Sequence, residues 1–159
     1  MMDRVNQILA NPQYQYYFQK IQSLEVDRKF CGHTMEHFLA VARLSFIMVC
    51  EVGLEIDKEV IYATALLHDM GRGYEGLAKD DHHEGSAIIA REILGKCGFD
   101  ETEEKTIIRA IKEHRTMSDK DDFSAIFYRA DKLSRNCFAC PVENECNWPD
   151  KKKNMRVIL

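Results

Sequence analysis

Three histidines and one aspartate stand where a helical core would otherwise place apolar side chains. His37 precedes Val41 and Leu44 by four and seven residues, His68 follows Ile61 and Ala65, and His114 follows Ile107 and Ile111, so each completes an apolar stripe at helical spacing. Asp131 lies four residues after Phe127 and one after Ala130, where its helix should be turning inward. Singly, each histidine reads as a core imidazole satisfied by a local hydrogen bond. Together they read differently. An unpaired buried polar group costs roughly 1–3 kcal/mol and a lone carboxylate more, against about 5–15 kcal/mol of net stability for a domain. Four such groups need one another or a shared cation. The adjacent pair His68-Asp69 sharpens the point, because neighbouring helical side chains point about 100° apart and converge on one ion only near a helix end. Gly71 and Gly73 put the pair at such an end. An imidazole beside a carboxylate suits a divalent transition metal, Mn, Fe, Co, Ni or Zn, with Mg also accommodated; the plain alternative is a local His–Asp hydrogen bond.

The elements that carry these residues are helices. Apolar spacing is helical nearly throughout and no run alternates with period two, which predicts an all-α single domain, a compact bundle of six or seven helices over 1–159. Helices are expected at about 3–10, ending at Asn11-Pro12, and about 13–25, with Tyr14, Tyr17 and Phe18 on one face. The next, about 33–51, is apolar around most of its circumference until Gly53. Asp57 is a good N-cap for the helix that ends at His68-Asp69, and a loop covers 72–81. Further helices are expected at about 83–96, from Asp100 (with Glu103 in capping-box spacing) to His114, and at about 119–136, after which the chain turns irregular and cysteine-rich. At 159 residues, such a domain buries roughly 70% of its unfolded surface and needs no covalent staple.

The charge balance, 22 Lys and Arg against 26 Asp and Glu for a net −4, provides no general attraction for nucleic acid or anionic lipid, so neither partner is expected. An anionic ligand must be caught by a local cluster. The N-terminal residues lack a basic segment followed by an apolar one, and no stretch approaches 18 apolar residues, which reads as cytoplasmic. In that compartment the six cysteines are thiols, metal ligands or core fillers before they are disulfides. The oligomeric state leaves no mark on the sequence.

The ordered set of residues resembles the HD-domain superfamily of metal-dependent phosphohydrolases, whose ligands follow the order His, His-Asp, Asp on successive helices of an all-α core. The matching positions are His37, His68-Asp69 and Asp131, set within His37-Phe38-Leu39-Ala40-Val41-Ala42 and Ala65-Leu66-Leu67-His68-Asp69-Met70-Gly71, and the likeness runs from about 33 to 136. Members with two metals add two histidines between the His-Asp pair and the last Asp. The resemblance implies His114 for the second of these and His82 for the first, given the small residue Ser86 four positions on, with His83 as the competing ligand or a substrate-side residue. It further implies one or two divalent metals, two of them bridged by Asp69, and a metal-bound hydroxide that attacks a phosphoester or phosphoanhydride of a small, nucleotide-like substrate without a Ser or Cys nucleophile. Asp69, Arg72 and Lys132 are then the residues expected in catalysis, and Arg72, His83, Arg115, Lys132 and Arg135 the ones expected against the phosphorylated substrate.

Other readings stay open. Some members of the superfamily with the same ligands are di-iron oxygenases. His33-Thr34-Met35-Glu36-His37 matches the H-x-x-E-H pattern of inverted zinc proteases, a short motif that leaves His68-Asp69, His114 and Asp131 without a role. Cys137, Cys140 and Cys146 form C-x₂-C-x₅-C, one thiol short of a four-cysteine site, and Cys31 is the candidate fourth. If the helices bearing His37 and Asp131 run antiparallel, Cys31 and Cys137, each six residues beyond its ligand, reach the same level roughly 9 Å away. Such a group would hold structural Zn or an iron–sulfur centre. Cys50 and Cys97 read as core or helix-end residues, and the run 150–153 as a solvated tail packed by Val157, Ile158 and Leu159.

Overall fold

The structure, a computed structural model, describes residues 1–78, 81–115 and 122–159. Among them are seven α-helices and no strand: α1 (Asp3–Ala10), α2 (Pro12–Leu24), α3 (Met35–Glu51), α4 (Lys58–Leu67), α5 (His82–Leu94), α6 (Glu101–Glu113) and α7 (Phe123–Leu133). Short 3₁₀ turns follow α4 (Met70–Gly73) and punctuate the C-terminal segment (Cys137–Ala139, Glu143–Glu145 and Asp150–Lys152).

Side chains fix most of the helix starts. Asn11 accepts from the backbone N–H groups of Gln13 and Tyr14 ahead of α2, Asp57 accepts from Glu59 ahead of α4, and Asp122 accepts from Ala125 ahead of α7. Asp100 and Glu103 complete the capping box of α6. The helix expected from residue 33 begins two residues later, because Thr34 accepts from the His37 N–H as its cap and leaves His33 in the preceding connection. The helix expected over 119–136 is observed from Phe123; residues 119–121 lie outside the described residues, as do 79 and 80 of the expected loop.

Helix α3 packs along α4 and α7, and α6 lies across α4, α5 and α7. The core between them holds Phe38, Val41, Ile61, Leu66, Ile107, Ile111 and Phe127, all effectively removed from solvent. Arg4 clamps the outer α1 onto this frame, binding Glu59 at 2.7 Å and Glu103 at 2.6 Å while its guanidinium lies 4.4 Å over the Phe99 ring. No helix among the described residues is long and apolar enough to cross a membrane. The C-terminal residues Val157, Ile158 and Leu159, expected to pack, are exposed; the tail is held instead by Lys153, whose amine pairs with Glu143, and by Asn154.

A tight backbone approach lies beside the candidate site. The 3₁₀ turn after α4 nests against the start of α5, where Gly71 N–H donates to Ser86 Oγ at 2.8 Å. A Cβ on Gly71 would lie 1.9 Å from the His82 carbonyl oxygen and 2.4 Å from the Ser86 nitrogen, both backbone atoms that cannot swing aside. Only glycine lets the His68-Asp69 end of α4 sit beside His82. Gly71→Ala should therefore cost about 3 kcal/mol, the upper end of overpacking penalties, read as a lowered denaturation midpoint; unchanged stability would contradict the close packing.

Candidate metal centre

The connection between α2 and α3 and four elements of the bundle, α3, the end of α4, α5 and α7, converge with the end of α6 on the carboxylate of Asp69, which is 2% exposed. Its Oδ2 faces His68 Nε2 at 3.1 Å, His33 Nε2 at 3.4 Å and His37 Nε2 at 3.9 Å. Its Oδ1 faces Arg72 Nε at 2.9 Å, His82 Nε2 at 3.2 Å and His114 Nε2 at 3.9 Å. Asp131 closes the first side, with Oδ1 3.4 Å from His37 Nε2 and 3.7 Å from His68 Nε2. Two buried groupings with the spacing of metal ligands result, His37/His68/Asp69 and Asp69/His82/His114.

The imidazoles are oriented as ligands. His37 Nδ1 donates to Ser134 Oγ (3.0 Å), which itself donates to the Asp131 carbonyl; His68 Nδ1 donates to the Ala65 carbonyl (2.8 Å); His114 Nδ1 donates to the Ile111 carbonyl (2.5 Å). Fixing the proton on Nδ1 leaves a lone pair on each Nε2: that of His68 faces Asp69 Oδ2, that of His114 faces Asp69 Oδ1, and that of His37 accepts from Arg135 on the Oδ2 side. His68 shows the consequence most clearly. Its ring is wholly buried, edge-on to Phe38 and Phe127 at 5.5 and 5.4 Å, and its Nε2 makes no hydrogen bond of acceptable geometry. A buried lone pair 3.1 Å from one carboxylate oxygen and 3.7 Å from another is repulsive until a proton or a cation is placed on it. The lone pair of His114 Nε2 likewise faces His82 Nε2 at 3.4 Å. The donor set fits a divalent transition metal, and the residues that would hold it are His37, His68, Asp69 and Asp131 on one side and Asp69, His82 and His114 on the other.

Electrostatics agree with this arrangement. Burial pushes His68 down, but the carboxylates of Asp69 and Asp131 outweigh it and lift the imidazole to about 9. Burial, helped by Arg135 and His68, drives His37 down to about 2, and burial lowers His114 to about 4 against the pull of Asp69. Asp69 and Asp131 are raised by burial, yet His68 holds both well below the usual carboxylate range, aided by His82 and Arg72 for Asp69 and by Lys132 for Asp131. Neutral His37 and His114 around ionised carboxylates are in the state that metal ligation requires, and a metal ion would take the place of the proton that the two carboxylates hold on His68.

Above the carboxylates opens a cavity of about 680 Å³. Arg72, Arg115, Lys132 and Arg135, the cations expected near a phosphate, all line it, and so do Arg28 and Lys29 from the connection before α3. Lys132 Nζ sits 2.6 Å from Asp131 Oδ2, and Arg135 donates to the Gly32 carbonyl at 2.9 Å and to His37 Nε2 at 3.1 Å. A chain of net negative charge thus gathers six cationic side chains around one opening. His33 also lines it, its Nδ1 held by Glu25 Oε1 at 2.6 Å and its backbone N–H by Glu25 Oε2 at 2.9 Å. Reasoning from sequence placed His33 here only through the H-x-x-E-H pattern and missed Glu25, Arg28 and Lys29 as site residues, since the connection 26–32 has no helical period to place it.

Two expectations do not match this geometry. His83, expected as a ligand or against substrate, does not line the cavity: one residue along α5 from His82 turns it by about 100°, towards Glu84 and partial exposure. Glu36, the base in the H-x-x-E-H reading, is exposed on α3 and lies off the Asp69 cavity, so the protease arrangement fails even though His33 and His37 both point inward. Metal content separates the two neighbouring histidines on α5. His82→Ala should lose bound metal, with affinity falling at least about 10- to 100-fold, and His83→Ala should retain the full complement; the reverse order, measured by elemental analysis, would contradict the assignment.

Comparison with known proteins identifies the family. A protein of Clostridium beijerinckii described as uncharacterized is 42% identical over 156 residues, 98% of this chain and 99% of its own length. The ribonuclease Y of Borreliella burgdorferi is 27% identical over 127 residues, 79% of this chain but 23% of the ribonuclease. A bifunctional uridylyltransferase/uridylyl-removing enzyme of Bradyrhizobium is 34% identical over 76 residues, 46% of this chain and 8% of that enzyme. The chain thus spans a small part of both enzymes. No solved structure gives a significant match. The profile of the HD domain matches residues 34–136, the stretch that carries His37, His68-Asp69, His82, His114 and Asp131, and the chain belongs to the HD-domain family of metal-dependent phosphohydrolases.

Proposed function

We propose that the protein hydrolyses a phosphoester or phosphoanhydride of a small, nucleotide-like substrate, with Asp69 shared between two metal positions. The observation that carries this reading is the division of the Asp69 carboxylate, Oδ2 towards His37 and His68 and Oδ1 towards His82 and His114, on the floor of a cavity rimmed by cations. Divalent metals held there would supply Lewis acidity to the phosphoryl oxygens and bring a coordinated water towards neutral pKa. The chain's own residues bind and orient. Arg72, braced through its Nε on Asp69 Oδ1, offers a planar fork to a phosphoryl group, and Lys132, Arg115, Arg28 and Lys29 add positive charge around it. His33, tied through Nδ1 to Glu25, presents its Nε2 to whatever occupies the cavity.

The cavity volume lies within the range of small-molecule sites, which supports a nucleotide-sized ligand. The names of two partial relatives, a ribonuclease and a uridylyl-removing enzyme, denote cleavage at nucleotide phosphorus and support that type of bond as the one broken. The test is a panel of nucleoside mono-, di- and triphosphates, dinucleoside polyphosphates and cyclic nucleotides offered to the metal-reconstituted chain. At least one should be hydrolysed, and Asp69→Asn should cut turnover at least about 100-fold with its helical circular dichroism intact. Full hydrolysis by that variant would remove the assignment. Oxygen uptake by the iron-loaded protein, with no phosphate substrate accepted, would favour the oxygenase chemistry of the same family.

A further inference from the structure

Beside the His/Asp centre lies a second cavity, of about 320 Å³, lined by the four cysteines Cys31, Cys137, Cys140 and Cys146. None is in a disulfide. The fold explains their meeting. His37, at the start of α3, touches Ser134, just past the end of α7, so the two helices run antiparallel and the segments beyond these ends emerge together. Cys31 lies six residues before His37 and Cys137 six after Asp131. Two 3₁₀ turns then fold the chain back, Cys140 N–H donating to the Cys137 carbonyl at 3.1 Å and Cys146 N–H to the Glu143 carbonyl at 3.0 Å. Asn154 fastens this segment to the helix, its Nδ2 donating to the carbonyls of Lys132 (2.6 Å) and Arg135 (3.0 Å), and Lys29 pairs with Glu145 across from the α2–α3 connection.

Three further observations bear on what these thiols do. Cys31 is the one non-glycine residue with positive φ among the described residues, at +33°, a conformation that costs on the order of 1–3 kcal/mol and persists where surroundings dictate it. Its thiol is pushed up by burial, drawn back by Arg135, and raised again by Cys137, Cys146 and Cys140, so the four sulfurs sit near enough to repel one another once ionised. Arg135 and Lys153, its amine paired with Glu143, line the same cavity and would offset the charge of several thiolates.

We propose that Cys31, Cys137, Cys140 and Cys146 hold an iron–sulfur cluster, one thiolate per ligand position, adjoining the His/Asp metal centre. A single zinc fits less well. Four sulfurs at about 2.3 Å from one ion must lie within about 4 Å of each other. Among the described residues, the ligand groupings that tight are the two made of His and Asp, while the thiols are spread around a cavity. A polynuclear cluster places one thiolate on each of several metal corners and needs that wider spread. Arg135 spans both centres, one nitrogen on the Gly32 carbonyl beside Cys31 and the other on His37 Nε2.

The experiment uses the full chain reconstituted anaerobically with ferric iron, a thiol reductant that brings part of it to the ferrous state, and sulfide. Acid-labile sulfide should bind in equal number to the cluster irons, with a visible charge-transfer band that dithionite bleaches. Cys31→Ser and Cys140→Ser should each lose the band and the sulfide at least tenfold, while Cys50→Ser, at an exposed cysteine away from the cavity, keeps both. Manganese retained at the His/Asp site in Cys140→Ser would show that the variant is folded. A wild-type chain that takes up no sulfide, a chain that binds zinc through these thiols with no sulfide, or a Cys137→Ser/Cys140→Ser double variant that keeps the band would each overturn the proposal. None of these outcomes depends on whether the neighbouring site hydrolyses phosphate.

Discussion

The molecule is organised around an electrostatic conflict that a cation resolves. Two carboxylates, Asp69 and Asp131, are buried together, and the nitrogens facing them from His68 and His114 present lone pairs, because their protons are committed to Ala65 and Ile111. Water is excluded by the aromatic rings of Phe38 and Phe127 on the His68 side, so solvent cannot screen the repulsion. Arg72 and Lys132 neutralise part of the negative charge from the rim, and a proton on His68 relieves more of it. What remains is a set of donors whose mutual fit is poor in isolation and good around a divalent ion. The stability surplus of the apolar core sustains this arrangement, consistent with strain gathered where chemistry is done.

Much of the frame was legible because it follows from rules with one solution. Caps at Asp57 and Asp100 mark helix starts through a side-chain oxygen that accepts from the first turn. Polar residues on apolar stripes, His37, His68, His114 and Asp131, betrayed the centre because a buried group must be satisfied by something. Where the rules offer two solutions, sequence alone did not decide. His82 and His83 differ by one step on α5, and the choice between them is made by the Gly71–Ser86 contact that presses the start of α5 onto the end of α4. The contributions of Glu25, Arg28 and Lys29 were hidden for another reason. They sit in the α2–α3 connection, whose path is set by tertiary contacts such as the Glu25 grip on His33, and no periodicity announces them. The exposed C-terminal apolar residues show the converse, since a short apolar run carries no guarantee of a surface to cover it.

Charge distribution links the fold to the chemistry. A chain with net −4 has no long-range field for phosphate, yet six cations converge on the cavity above Asp69 because the α2–α3 connection, the turn after α4, the end of α6 and the end of α7 all open at the same end of the bundle. The same convergence brings Cys31 beside Cys137, so the two cavities share Cys31, Cys146 and Arg135 as a common wall. One topological fact, antiparallel α3 and α7, therefore underlies both the hydrolytic reading and the thiolate site.

The central claim is that Asp69 is the shared anion of a metal centre, and anomalous X-ray scattering from crystals grown with manganese addresses it directly. The account predicts two anomalous peaks about 3.5–4 Å apart, one against Asp69 Oδ2 with His37, His68 and Asp131, the other against Asp69 Oδ1 with His82 and His114. Crystals in which these side chains keep their positions while no peak lies within bonding distance of Asp69 would contradict it.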